Sequence, residues 1–132
     1  MAASTTLNLP ANFRRIRLEL AREPGHPAGE VDIGYTMVAP LKSDGLLDID
    51  TARHFREQCK VIRFRRGEES VEGYLRRRPG GWWAFHYDLG DGAEDDDPGF
   101  RFERRRFVTG DYVTILEDEG AHTYRVASVE PL

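Results

Sequence analysis

The chain is poor in cysteine and has no long apolar run. Its 132 residues include one cysteine, Cys59, so no disulfide can form within the chain. A lone cysteine fits a reducing compartment, and we interpret Cys59 as a small buried side chain. No stretch approaches the roughly 20 consecutive apolar residues that a membrane-spanning helix needs. These absences exclude a disulfide-stabilised scaffold and a helical membrane protein.

The first thirteen residues lack the basic segment and the apolar core of a secretory signal. We therefore predict a soluble, cytoplasmic protein in which residues 1–12 form a flexible tail and residues 13–132 form a single domain. Apolar residues make up 39% of the chain and charged residues 32%, which are values typical of globular domains. This composition excludes wholesale disorder and fibrous structure.

The charges are segregated along the chain. A net charge of −4 and a pI near 5.6 argue against a protein that mainly coats nucleic acid, because affinity for polyanions comes largely from neutralising phosphates. Residues 60–88 nevertheless carry +3, residues 89–98 carry −5 and residues 99–110 carry +3. We interpret the acidic run from Asp91 to Asp97 as a solvated loop. The opposite blocks can pair within one chain or between subunits.

Alternating apolar and polar residues predict a fold built mainly of strands. Ile16, Leu18 and Leu20 alternate with charged residues, which is the pattern of a strand with one buried face, and a second strand is predicted from Ile33 to Leu41. A single helix is predicted near 50–58, with Asp48 or Asp50 as its cap. The remaining predicted strands lie between strong turn signals, at residues 60–66, 71–78, 82–89, 99–104, 111–116 and 122–130.

The hairpin around Pro79 has two competing registers. A two-residue loop places Leu75 opposite Ala84, whereas a three-residue loop over 79–81 pairs Leu75 with Phe85. We favour the three-residue loop because it separates apolar from polar side chains better. The residues that it turns inward are Leu75, Trp83, Phe85, Tyr87 and Leu89. The residues on its other face are Tyr74, Arg76, Arg78, Trp82 and His86.

About eight antiparallel strands with one short helix favour a small β-barrel, or a strongly curved sheet, in which the helix covers one opening. Closure of the sheet would also remove unpaired strand edges. In the last hairpin, Val113 and Ile115 are expected to face Tyr124 and Val126 inside the core. A two-layer α+β sheet is the alternative architecture.

The outward face of the Pro79 hairpin is the candidate binding surface. It combines arginines with aromatic rings, a combination that suits single-stranded nucleic acid or an acidic protein segment. Two arginines of the preceding strand are added to it. The predicted binding residues are Arg63, Arg65, Tyr74, Arg76, Arg78, Trp82 and His86. The competing interpretation is a solvated sheet face on which arginine stems pack against rings.

No motif indicates a cofactor or a metal, and we predict neither. The four histidines are scattered, and the acidic run does not follow the order of a calcium-binding loop, although whether it holds a cation stays open. A Gly-rich phosphate loop, a nucleophile elbow and a dinucleotide fingerprint are all missing. His86 beside Asp88 is the one arrangement that suggests acid–base chemistry, so a small hydrolase using His86 is kept as an alternative.

Three groups of residues carry a resemblance to other proteins. They are Gly34-Tyr35 with Val38-Ala39-Pro40-Leu41, Arg78-Pro79-Gly80-Gly81 with Trp83 to Asp88, and Gly110-Asp111-Tyr112-Val113 with Tyr124-Arg125-Val126. Over about residues 13–132 the chain resembles a group of uncharacterised bacterial proteins of similar length. The resemblance implies a bacterial, cytoplasmic setting, and it implies no activity, cofactor or catalytic residue.

Taken together, these patterns predict a non-enzymatic binding or protein-interaction module that uses the face of arginines and aromatic rings. The first hypothesis for the partner is another protein or a second copy of the chain, because exposed aromatic side chains and blocks of opposite charge favour such contacts. Binding of RNA or single-stranded DNA is the second hypothesis, and its affinity would fall steeply with salt.

Overall fold

The computed structural model describes residues 9–79, 82–88, 94–100, 106–117 and 120–132, and within these ranges the chain is mainly strand. The strands are β1 (Phe13–Leu20), β2 (Glu30–Pro40), β3 (Lys60–Phe64), β4 (Val71–Arg78), β5 (Trp82–Asp88), β6 (Glu94–Phe100), β7 (Tyr112–Glu117) and β8 (Gly120–Pro131). A short helix, α1 (Ile49–His54), and a 3₁₀ turn (Arg56–Gln58) lie between β2 and β3.

The strands form one antiparallel sheet in chain order, which curls until β8 pairs with β1. The narrowest seam joins β6 to β7, where the described residues contribute a single pair, Gly99 with Leu116. This single pair closes the strongly curled sheet into a barrel, and it is the weakest point of the closure. The prediction of a mainly β fold with a small barrel or strongly curved sheet is confirmed, and the two-layer alternative does not form.

The register of the β4–β5 hairpin is the one that a three-residue loop predicts. Leu75 pairs with Phe85, and Tyr74 pairs with His86 on the opposite face. Leu75, Trp83 and Phe85 are all buried. Each such side chain contributes on the order of 2 kcal/mol to stability through its burial, so the inner face of the hairpin is a major part of the core. The side chain of Tyr87 and the whole of Leu89, also predicted inside, lie outside the described residues.

Aromatic contacts join opposite walls of the barrel. The ring of Tyr35 on β2 lies 4.6 Å from the ring of Phe85 and 5.2 Å, edge-on, from that of Tyr124, measured between centroids. Such pairs add to the stability that burial alone provides. The last hairpin contributes the buried set that was predicted for it: Val113, Ile115, Tyr124 and Val126.

Strand β6 overturns two predictions. It contains Glu94 to Asp97, which were predicted to lie in a loop, and it begins well before the strand predicted over 99–104, of which 101–105 lie outside the described residues. Acidic residues disfavour strands, but pairing with β5 gives this backbone its hydrogen-bond partners and outweighs the propensity. The register shifts between Trp83 and Phe85, opposite Pro98, because proline has no N–H to donate to a regular ladder.

The helix is held by a side-chain cap. The Asp48 carboxylate accepts hydrogen bonds from the Thr51 hydroxyl at 2.8 Å and from the Thr51 N–H at 3.3 Å. The hydroxyl bond, above all, keeps the pKa of Asp48 below its usual value. Phe55 separates α1 from the 3₁₀ turn, and its ring meets that of Phe13 edge-on at 5.8 Å. The predicted helix near 50–58 is therefore in place but divided in two. No helix within the described ranges is long and apolar enough to cross a membrane.

Ordered contacts begin before residue 13. Leu9 packs against the core, and the Asn12 amide donates a hydrogen bond to the Asp48 carboxylate at 3.0 Å. Residues 1–8, the rest of the predicted tail, lie outside the described residues. Within the described residues, the folded part of the chain therefore includes residues 9–12, which were predicted to belong to the tail.

The two ends of the barrel carry different elements, and each strand begins at one end and finishes at the other because neighbouring strands are antiparallel. The helix end, as we call it, carries α1, the start of β3 at Lys60 and the β4–β5 turn after Arg78. The far end carries the end of β3 at Phe64 and the end of β7 at Glu117. This division decides which of the predicted binding residues can meet.

Candidate functional site

A cleft with a volume of about 1270 Å³ opens at the helix end. We call it the helix–hairpin cleft, because α1 and the 3₁₀ turn form one wall while β4 and β5, with Lys60 of β3, form the other. The helix wall comprises Asp50, Arg53, His54, Arg56, Glu57 and Gln58. The sheet wall comprises Lys60, Tyr74, Leu75, Arg76, Arg77, Trp83 and His86.

The cleft is cationic although the chain as a whole is anionic. Among the described residues, five lining side chains are basic and two are acidic, which gives this part of the lining a charge of +3 with neutral histidines, against −4 for the whole chain. All five basic residues are exposed, so their charges face solvent. They are Arg53, Arg56, Lys60, Arg76 and Arg77. A concave surface of one sign concentrates oppositely charged groups near it.

Backbone pairing sets the two walls against each other. The Leu75 N–H donates a hydrogen bond to the Cys59 carbonyl at 2.9 Å, which ties β4 to the segment that follows the 3₁₀ turn. Lys60 pairs with Tyr74 in the β3–β4 ladder, so the two side chains share the outer face. Burial raises the pKa of the Cys59 thiol to about 12, and the thiol therefore takes no part in the chemistry of the cleft at neutral pH.

The sheet wall contains a defined polar contact between Arg76 and His86. The Arg76 guanidinium lies 3.1 Å from the His86 Nδ1. Arginine can only donate a hydrogen bond, so Nδ1 is the acceptor in this contact. The contact places the imidazole beside a cation. The Asp88 side chain, which was predicted to orient His86, lies outside the described part of the chain.

Tyr74, Arg76 and His86 are the predicted site residues that the fold brings together in the cleft. Tyr74 is 40% exposed and is the open aromatic ring of the lining, since Trp83 is only 2% exposed. Arg78 and Trp82 pair with each other where the hairpin ends, and neither of them lines the cleft. The predicted face is therefore divided between the cleft and the hairpin tip.

Arg63 and Arg65 do not join this surface. Arg63 pairs with Tyr35, a fully buried residue of the barrel interior, so Arg63 lies on the inner face of β3. The Arg65 guanidinium lies 3.3 Å from the carboxylate of Glu117, at the far end. The prediction that placed both with Tyr74 is wrong, because residues 63 and 65 share the inward parity of Val61 and lie toward the opposite end of the barrel.

Glu117 is the centre of a buried polar network at the far end. Its Oε2 accepts hydrogen bonds from the hydroxyls of Tyr35 and Tyr124, both at 2.5 Å, while Oε1 accepts from Arg65. Burial, followed by the charge of Glu117, raises the pKa of Tyr124 above its usual value, so this phenol stays protonated. The carboxylate is committed to three donors within the protein. We therefore interpret the network as structural.

No residue of the helix wall was predicted from the sequence as part of a site, and only Tyr74, Arg76 and His86 of the sheet wall were. Arg53 and Arg56 are three residues apart, a spacing that places side chains on one face of a helix, and this signal was available. The approach of that face to β4 was not available, since it depends on how the helical segment before Cys59 packs beside the β3–β4 hairpin. Lys60 was missed although the alternation that runs through β3 puts Lys60 outside and Arg63 inside.

Within the described ranges no group of three or more histidine, cysteine or acidic side chains is placed to hold a metal ion. No protein-family model matches the chain, and no curated protein or solved structure matches it either. The resemblance to uncharacterised bacterial proteins thus stays a prediction. The function of the chain therefore has to be inferred from the residues of the cleft.

Proposed function

We propose that this protein is a non-enzymatic, protein-interaction module whose contact surface is the helix–hairpin cleft. The observation that carries the proposal is the concentration of five basic side chains and one open aromatic ring in a concave surface of an anionic chain. Tyrosine and arginine are the residue types that interfaces favour, because both combine a large contact area with directional hydrogen bonds. A cytoplasmic setting is part of the proposal and suits the free thiol of Cys59.

The clustering of charge supports binding over a purely structural role. Cations that crowd one surface repel one another, which disfavours the folded state. Elsewhere on the surface Arg66 forms an exposed pair with Glu30 at 2.8 Å, so that one basic residue is balanced by one carboxylate. In the cleft, basic side chains outnumber acidic ones, and a ligand of opposite charge would relieve the repulsion.

The experiment uses a photo-crosslinking amino acid placed at Tyr74, in cells that make the protein. The matched control carries the same group at Tyr112, which is 61% exposed on β7 and lies outside the cleft. We expect position 74 to form a specific covalent adduct with a protein, resistant to nuclease, and position 112 not to form it. The adduct should disappear when Arg76→Glu is added to the Tyr74 variant.

Two results would refute the proposal. One is the absence of any adduct from position 74 under conditions in which the substituted protein is folded. The other is the same adducts from positions 74 and 112, which would mean that the cleft is not the contact surface. An adduct at 74 that consists of nucleic acid would move the assignment to the second hypothesis from the sequence, RNA or single-stranded DNA binding.

A further inference from the structure

We infer that the partner of the helix–hairpin cleft is an extended, acidic protein segment, held between the helix wall and the sheet wall. This inference rests on the proposed function and names the chemistry of the partner. The charge of each wall, the spacing of the basic groups and the aromatic content of the lining each bear on the choice between a protein segment and a nucleic acid.

Both walls supply basic groups. Arg56 belongs to the helix wall, while Lys60 and Arg76 belong to the sheet wall. A ligand that lies between the walls therefore meets positive charge on two sides. Guanidinium groups bind carboxylates through paired hydrogen bonds, which makes an acidic side chain a well-matched ligand for such a surface.

The spacing along β4 fits an extended ligand. Tyr74 and Arg76 are two residues apart on the outer face, which places them roughly 7 Å apart along the strand. An extended peptide repeats its side chains on one face at the same interval. A segment with acidic residues at alternate positions can thus place one carboxylate near Arg76 and the next near Lys60, which pairs with Tyr74.

Two features disfavour a nucleic acid. Asp50 and Glu57 stand among the basic residues of the helix wall, where they would repel a continuous phosphate backbone but could pair with a lysine or an amide of a protein. Single-stranded nucleic acids also stack successive bases on several aromatic rings. In the described lining Tyr74 is the open ring, because Trp83 is buried.

The test measures fluorescence anisotropy of a labelled peptide of about ten residues, roughly 33 Å when extended, in which glutamate alternates with serine. A peptide with glutamine in place of glutamate is the uncharged control, and oligothymidine of similar length is the nucleic-acid probe. We expect the glutamate peptide to bind, the glutamine peptide not to bind, and oligothymidine to compete poorly. Binding of the glutamate peptide should weaken as salt is raised.

The variant Arg56→Glu with Arg76→Glu reverses one charge on each wall. We expect it to bind the glutamate peptide about tenfold more weakly or worse. Arg22→Glu is the matched control, since Arg22 is exposed and lies outside the cleft, and its affinity should stay within about twofold of the parent. Circular dichroism of the three proteins verifies that each is folded.

The outcomes separate this inference from the proposed function. Tighter, cleft-dependent binding of oligothymidine overturns the inference and the protein-interaction assignment, while the cleft remains the contact surface. Equal binding of the glutamate and glutamine peptides overturns the inference that the partner is acidic and leaves the proposed function in place. Failure of both peptides to bind, while the Tyr74 crosslink to a protein persists, has the same meaning. Equal behaviour of the double variant and the parent, in this assay and in the crosslinking experiment, overturns both.

Discussion

The replacement of Glu117 by glutamine tests how the far end of the barrel is held together. The Glu117 side chain is almost fully buried and accepts hydrogen bonds from Tyr35, Tyr124 and Arg65. Glutamine has nearly the same shape and keeps one oxygen as an acceptor. Its amide nitrogen, however, donates hydrogen bonds instead of accepting them, so at least one of the three donors around residue 117 loses its acceptor. The negative charge that strengthens the remaining hydrogen bonds is lost as well.

The expected magnitude follows from the three bonds. A hydrogen bond to a charged group contributes about 1.5–3 kcal/mol, and a buried donor left without an acceptor costs about 1–3 kcal/mol. Glu117→Gln should therefore lower the free energy of unfolding by about 3 kcal/mol, which is a large part of the 5–15 kcal/mol typical of a domain. Tyr124→Phe removes a single hydroxyl and should lower it by about 1.5 kcal/mol. Glu130→Gln, at an exposed position of β8, is the control and should change it by less than about 0.5 kcal/mol.

Urea unfolding followed by tryptophan fluorescence is a suitable assay, because Trp83 is buried in the native state and becomes exposed on unfolding. The slope of the free energy with urea concentration should be the same for all variants, so that a shift of the midpoint reports stability alone. A shift for Glu117→Gln no larger than that for Glu130→Gln would refute the reasoning. It would mean that the tyrosine hydroxyls and the arginine find equivalent partners without the carboxylate.

Three further predictions concern other parts of the fold. Gly34→Ala should destabilise the protein by about 3 kcal/mol in the same assay, because the added Cβ would lie 1.9 Å from the Leu18 carbonyl oxygen. Gly67→Ala is the control: nothing lies within 4 Å of the added Cβ, so the substitution should cost only about 1–2 kcal/mol for the positive φ. Equal losses of stability would contradict the close approach at Gly34. The Cys59 thiol, with its pKa raised to about 12, should not react with dithionitrobenzoate at pH 8 until urea unfolds the chain, and rapid reaction of the native protein would show that the thiol is accessible. Asp48→Ala should destabilise the protein by about 1 kcal/mol at neutral pH. Because the pKa of Asp48 is lowered in the folded state, the contribution of its charge is fully present above the unfolded pKa of about 4 and is lost as the pH falls through the lower, folded-state pKa. Unfolding measured against pH should therefore show parent and variant converging in acid, and a constant difference would refute the role of the charge.

The hairpin between β4 and β5 shows how far local pattern can reach. The pairing of Leu75 with Phe85 follows from the loop length and from the separation of apolar and polar side chains, and both are properties of adjacent residues. The same reasoning placed Tyr74, Arg76 and His86 on one outer face. It failed for Glu94 to Asp97, because their place in β6 depends on hydrogen bonds from β5 that outweigh an unfavourable composition.

The candidate site was predicted only in part, and the reason is geometric. Arg63 and Arg65 are close in sequence to Lys60, yet the three residues divide between opposite faces and ends of the barrel. The parity of Val61 could have shown that Arg63 points inward. Nothing in the local pattern could have shown that Arg56 and Arg76 line one cleft, because this depends on how the helical segment packs beside the β3–β4 hairpin.

The order of amino acids by itself determined the strand periodicity, the register of the β4–β5 hairpin, a capped helix near residue 50 and the burial of Trp83 and Phe85, since each depends on neighbours in the chain or on the hydrophobicity of single side chains. Only the tertiary structure decided that the helix wall and the sheet wall face each other, that Glu117 gathers Tyr35, Tyr124 and Arg65, and that β8 returns to β1. These contacts join residues far apart in sequence. They form because closing the sheet satisfies its edges and buries its inner face, a condition that no single segment carries.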